Sequence, residues 1–230
     1  VGIADRLELS YQHQWFDTGG AGARLGLGRG YTFEQDVFGA KLRLFGDVVA
    51  DQDRWWPQVS VGALHKRSAD GAVVRAVGAR DAAGTDFYVA ATKLFLGAGL
   101  LVNGTVRFTR ANQFGLLGHG GGREDDYRAQ FEGSAAVLLS RNLAFGGEFR
   151  SKPDNLRFAR EGDAFDLFGA WFVNRHLSVV LAYVDVGKVA GQGRVGVVGV
   201  LGTVAVVAHV HDDDLPVLGE PLRHEIGRAH

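Results

Sequence analysis

Cysteine is absent from the 230 residues, which excludes disulfides, thiolate catalysis and cysteine-liganded metal. That absence selects no compartment. Methionine is also absent, and no charged n-region with an apolar h-region precedes the first patterned segment. No apolar run approaches the roughly 18–20 residues of a membrane-spanning helix. This excludes helical spans but not β-barrels, which cross with short alternating segments. Charge of one sign is missing as well. Lys plus Arg is 25 and Asp plus Glu is 26, so neither a nucleic-acid surface nor an acidic solvating chain is indicated. No 3.6-residue hydrophobic period persists over a long window, so a βαβ fold, whose crossovers need helices, has little support.

What the chain has is glycine, phenylalanine and a period of two. Glycine numbers 34, about twice the roughly 7% of average proteins, and shows no collagen-like spacing of three. Gly-rich turns and crowded strands account for it better. In residues 127–155, Arg128, Glu132, Glu148 and Arg150 occupy one parity. Tyr127, Phe131, Val137, Leu143, Phe145 and Phe149 occupy the other, with a bend at "SRN". This is strand periodicity.

Ten segments carry the pattern: 6–15, 37–49, 58–66, 85–96, 100–110, 127–140, 143–150, 163–173, 177–187 and 195–210. Residues 17–36 form a Gly-rich connection, and 67–84 a variable stretch with room for a short hairpin around "SADG". Connections alternate between long and short, as expected of a meander with long loops at one end and tight turns at the other. A soluble closed barrel would give the same alternation with the faces exchanged, apolar inside and charged outside. Trp55, Trp56, Tyr11, Tyr127, Phe149, Trp171 and Tyr183 fall mostly near segment ends, as aromatic girdles do; ordinary strand aromatics are the alternative.

The stretches "ADRLELSYQHQWFDTG" (4–19), "LGLGRGYTFEQDVFGAKLRLFGD" (25–47), "DQDRWWPQVSVGALHKR" (51–67) and "NGTVRFTRANQFGLLG" (103–118) go further. With "VRAVGARDAAGTDFYVAATKLFL" (74–96) and the run from Leu138 to Gly187, they resemble a proteobacterial outer-membrane family, domain-of-unknown-function family 3034. The resemblance covers about residues 4–187. It implies secretion followed by insertion as a β-barrel in the bacterial outer membrane. Partners would be outer-membrane lipid and lipopolysaccharide, with the barrel-assembly machinery during insertion. It implies no activity and no catalytic residues. Two departures accompany it: the N-terminus resembles one cut short by two or three strands, and residues 188–230 do not read as a closing strand with a terminal aromatic.

Candidate chemistry is sparse. "LGLGRG" and "GHGGG" lack the strand–GxxxxGK[ST]–helix context of a phosphate loop. Ser10, Ser60, Ser134 and Ser178 lie in strand segments and His13, His65 and His176 in or near them, but no spacing joins a serine to a histidine. "HVHDDD" (209–214) offers metal-type donors, although an exposed acidic terminus explains it better. "SKPDN", with Lys152, Asp154 and Asn155 around Pro153, reads as a turn. The informative set is the charge on the polar parity: Arg6, Glu8, Lys41, Arg43, Asp47, Arg107, Arg128, Glu132, Glu148, Arg150 and Asp166. These would face a barrel lumen, either pairing to fill it or lining water. Glu132 and Glu148 are expected to pair with Arg128 and Arg150.

The reading is therefore an all-β, antiparallel up-and-down transmembrane barrel, with about ten strands visible and 12 or more in the parent. The barrel domain spans residues 1–210 and a polar tail residues 211–230. Its role would be envelope structure or passive diffusion of small hydrophilic solutes, with no cofactor, metal or nucleic acid. The alternatives are a barrel enzyme acting on lipid and a soluble ligand-binding β-barrel.

Overall fold

A computed structural model describes residues 2–3, 6–18, 21–24, 26–157, 160–174, 177–188 and 194–204. His176, residues 205–210, "HVHDDD" and the tail 211–230 lie outside the described residues.

Eleven antiparallel strands form one sheet in strict chain order. They are β1 (Gly2–Ile3), β2 (Leu7–Asp17), β3 (Thr32–Phe45), β4 (Gln58–Ser68), β5 (Ala83–Phe95) and β6 (Leu100–Thr109). They continue as β7 (Arg128–Ser140), β8 (Leu143–Arg150), β9 (Ala164–Asn174), β10 (Leu177–Lys188) and β11 (Arg194–Val204). The sheet curls into a half-barrel; among the described residues β1 pairs with β2 alone and β11 with β10 alone.

Several boundaries differ from the sequence reading. β3 starts at Thr32, inside the stretch expected to be loop, because Thr32–Asp36 pair with His13–Asp17. It ends at Phe45, because Gly46 turns with φ +74° and a Cβ there would lie 2.5 Å from the Pro57 carbonyl. The connection 46–57 is accordingly longer than the 50–57 expected. Residues 71–76 form a short helix (α2), not a hairpin, and a four-residue helix (α1, Ala21–Arg24) sits in the first long connection. The physical reason for α2 is tertiary: Val74 is fully buried against other loops.

The described residues of the long connections 18–31, 69–82, 110–127 and 151–163 share one end of the sheet and fold together there as a cap. Phe33, Val74, Ala79, Leu117 and Leu156 make its buried core, with Leu27, Tyr31, Val73, Ala82 and Leu116 packed around them. Polar groups tie it: Tyr31 donates to Asp70 (2.6 Å), and Asn155 Nδ2 donates to the Arg110 carbonyl and to Asn112 Oδ1, both at 3.0 Å. The tight end carries the Arg141–Asn142 turn between β7 and β8.

Candidate functional site

Register divides the sheet into two chemically opposite faces, since directly paired residues point the same way. The Glu8–Lys41–Gly62–Tyr88–Arg107–Gln130 row lies on the concave face. So does the row Arg43–Ser60–Ala90–Thr105–Glu132–Arg150. The convex face carries Tyr11–Phe38, Phe87–Phe108, Val137–Phe145, Phe149–Phe165 and Leu167–Tyr183. Burial runs opposite to that of a soluble sheet. On the concave side Asp86 is 0% and Lys66 7% exposed, whereas convex Phe131 and Leu181 are each 54% exposed.

The buried charge is organised around Asp86. Lys66 Nζ lies 2.7 Å from Asp86 Oδ2, Arg107 Nη1 lies 3.6 Å from it, and Thr109 donates to Oδ1. Arg107 then grips Glu132 with two bonds, Nε–Oε1 at 2.7 Å and Nη2–Oε2 at 2.8 Å, and its guanidinium lies over the Tyr88 ring. Such planar two-point pairing is the strong form of ion pair.

Register puts Glu8, Lys41, Arg43, Arg107, Arg128, Glu132, Glu148, Arg150 and Asp166 on the concave parity. Arg6 precedes β2, and Asp47 lies beyond β3. Arg43 pairs with Asp47 and Arg150 with Glu148, as expected for neighbours. One expected pairing, Glu132 with Arg128, is corrected. Glu132 takes Arg107 from the adjacent strand, and Arg128 turns to Glu124 in the loop. Arg6, Glu8, Lys41 and Asp166 form no ion pair among the described residues. The sequence reading missed Lys66, Asp86 and Thr109. Their parity was legible, but "LHKRS" and "GTDF" show no sign of facing one another until register is known.

Among the described residues, the candidate serines and histidines are not brought together. His13 pairs with Asp36 (2.9 Å) and His65 Nδ1 lies 3.0 Å from Thr85 Oγ1, both on the convex parity, whereas Ser60 is buried on the concave one. Among the described residues there is no cluster of three metal-type donors.

Above the charge cluster the cap holds further buried polar groups. "ANQFGLLG" contains two consecutive left-handed residues, Gln113 (φ 44°) and Phe114 (φ 59°), a strained pair for non-glycine side chains. The Gln113 N–H donates to Glu161, its Nε2 donates to the Lys188 carbonyl, and its Oε1 accepts from Lys152. His119 is 0% exposed, pressed beneath Gly84, where any Cβ would meet its ring at 2.4 Å.

Two cap groups have displaced titrations of opposite sense. Burial pushes His119 down from 6.5 to about 4, against the opposing pull of Asp86. Its contribution to stability is full above pH 6.5 and is lost as pH falls toward 4, because only the opened cap takes up the proton readily. The total is about 3 kcal/mol. Burial pushes Glu161 up from 4.5 to about 7. The folded cap favours its protonated form, so that contribution is full below pH 4.5 and lost as pH rises to 7. Between pH 6.5 and 4.5 the two contributions oppose and nearly cancel, so amide-exchange protection of residues 117–121, corrected for intrinsic rates, should change little in the wild-type protein. In His119→Gln it should rise as pH falls, and in Glu161→Gln it should fall. Protection that does not change with pH in all three proteins would contradict both assignments.

A family model described as "Protein of unknown function (DUF3034)" matches residues 1–196. No curated protein and no solved structure matches the chain.

Proposed function

The chain belongs to the DUF3034 family, and from that premise we propose that it forms part of an outer-membrane β-barrel offering small hydrophilic solutes a passage narrowed by the loop cap. The observation that carries this reading is the inverted burial: charged and polar side chains inside the curl, aromatic and aliphatic ones outside. In water such a sheet would expose a wide apolar surface and bury charge, a costly combination; in lipid it is the expected arrangement.

Dimensions agree. Phe87 and Phe95 are separated by about 26 Å of strand, which a tilt near 40° shortens to about 20 Å across the sheet, close to the apolar band of a membrane barrel. Aromatic contacts collect toward both ends, Tyr11–Phe38 and Phe87–Tyr127 near the cap and Trp55–Trp56 at the other end. No helix among the described residues is long and apolar enough to span a membrane, which bears only on helices.

Both signs of charge line the concave face, and Ser60, Thr105 and Asn103 lie among them, a lining suited to water and small polar solutes. A packed, sealed interior is the second reading, favoured by the two-point Arg107–Glu132 pair and the buried cap. Recovery with outer membranes and heat-modifiable migration support the barrel; a monomer soluble without detergent overturns it. Stepwise ion conductance of the full chain in planar bilayers supports passage, and inserted protein without conductance selects the sealed interior.

A further inference from the structure

The "SKPDN" turn that follows β8 and the "REDD" stretch that precedes β7 enclose an open polar pocket of about 340 Å³. That volume is at the small end of ligand sites, which run from roughly 300 to 1,000 Å³. Its walls are residues 123–124, 128–130 and 152–155. The Ser151 N–H donates to the Phe131 carbonyl (2.9 Å), which carries the β7–β8 pairing up to the pocket. The Arg123 N–H donates to the Asn155 carbonyl (3.0 Å), and Gly121 lies so close to that carbonyl that no Cβ would fit. The two loops are thereby clamped together, and the pocket is formed before any ligand arrives.

The lining mixes donors with acceptors. Arg123 Nη1 donates to Asp154 and Arg128 Nη2 to Glu124. A guanidinium has five N–H donors and an ionised carboxylate about four acceptor sites, so each ion pair keeps capacity on both partners. Asp154 also accepts from the Glu161 N–H (3.1 Å), and Glu124 from the Asp126 N–H (3.3 Å), which fixes both carboxylates. Two amides complete the set. The Gln130 side chain makes no hydrogen bond among the described residues. Asn155 is wholly buried, and its Oδ1 accepts from no donor. A buried acceptor in that state is costly until a donor reaches it.

We propose that this pocket binds one small, uncharged, polyhydroxylated solute of the size and chemistry of a monosaccharide. Charge decides the class. An anion would have to displace Glu124 or Asp154 from its arginine, and a cation would have to displace an arginine from its carboxylate. Lys152 directs its ammonium to Gln113 Oε1 (3.0 Å) and the Val186 carbonyl (2.6 Å). A hydroxyl both donates and accepts, so a sugar can use the remaining N–H groups, the carboxylate lone pairs and both amides while the ion pairs stay intact. Arg128 and Gln130 share the concave parity of the proposed passage, which puts the pocket at its capped end. The inference rests on the passage reading and names its solute class.

The test is a saturation-transfer NMR titration of the full chain refolded in micelles, with empty micelles as the blank. Glucose, gluconate and glucosamine are added in separate runs, similar solutes that are neutral, anionic and cationic. Glucose should saturate, and the two charged solutes should bind at least about tenfold more weakly, since each must break an ion pair. Gln130→Leu, on the sheet and outside the clamped loops, should weaken glucose by about tenfold, the scale of a lost hydrogen bond with its partner left unpaired. Arg128→Met leaves the Glu124 carboxylate without its arginine and should move the preference toward glucosamine. No saturable glucose binding, equal binding of the three solutes, or glucose binding that neither variant changes would overturn the site. The wild-type ranking alone decides if a variant does not refold. Planar-bilayer recordings on the same preparation separate the two readings: conductance without glucose binding refutes the site alone, and glucose binding without conductance refutes the passage and keeps the site.

Discussion

Asp86→Ala is expected to be among the most destabilising single substitutions in this chain, at about 3–5 kcal/mol. Asp86 is wholly buried and answers two cations, Lys66 at 2.7 Å and Arg107 at 3.6 Å, besides accepting from Thr109. Removing it leaves a nearly buried ammonium with no counter-charge, and the cost is that stranded charge more than the lost contact. Lys66→Met should cost less, because Asp86 keeps Arg107 and Thr109. Asp86→Leu combined with Lys66→Met should recover much of the loss, since replacing a whole buried pair by apolar groups is often close to neutral. Urea unfolding midpoints of the four refolded proteins in micelles check the order. Equal stability of Asp86→Ala and the double variant would show that the pair is not what holds this part of the sheet.

The second large effect is on the other face. Leu181 lies mid-strand in β10, flanked in register by Gly169 and Val200, and is 54% exposed. If that face met water, Leu181→Arg would change stability by no more than about 0.5 kcal/mol. If it meets the middle of a bilayer, the same change costs about 2–4 kcal/mol. Folding into phosphatidylcholine vesicles, followed by heat-modifiable migration across a urea series, separates the two outcomes. The contrast is useful because an exposed position is ordinarily tolerant, so a large penalty there reports the solvent itself.

Much of this architecture was legible in the sequence, because a period of two survives any uncertainty in boundaries. Phe38, Leu42 and Leu44 declare one face and Lys41 and Arg43 the other without knowledge of any neighbour. Pairing was not legible. That Glu132 meets Arg107 and not Arg128 depends on which residues stand opposite, which the pattern within a strand does not encode. The cap was the least visible part. Val74, Leu117 and Leu156 come from three glycine-containing loops with no period, and each is buried only because the others are. Likewise the left-handed Gln113 and Phe114 are held by Glu161, Lys152 and Lys188, all distant in the chain. Local preference would have forbidden that geometry, and tertiary contacts impose it.

The absence of cysteine permits a direct test of the central claim, that the apolar convex face meets lipid. Single cysteines placed in turn at Val37 through Leu44 in β3 can each carry a nitroxide label in vesicle-embedded protein. The account predicts strict alternation: labels at positions 38, 40, 42 and 44 collide with dissolved oxygen and are shielded from a water-soluble nickel chelate. Labels at 37, 39, 41 and 43 should be shielded from oxygen. Chelate access at the even positions equal to that of a label in the exposed loop at Trp55 would place the apolar face in water and contradict the account.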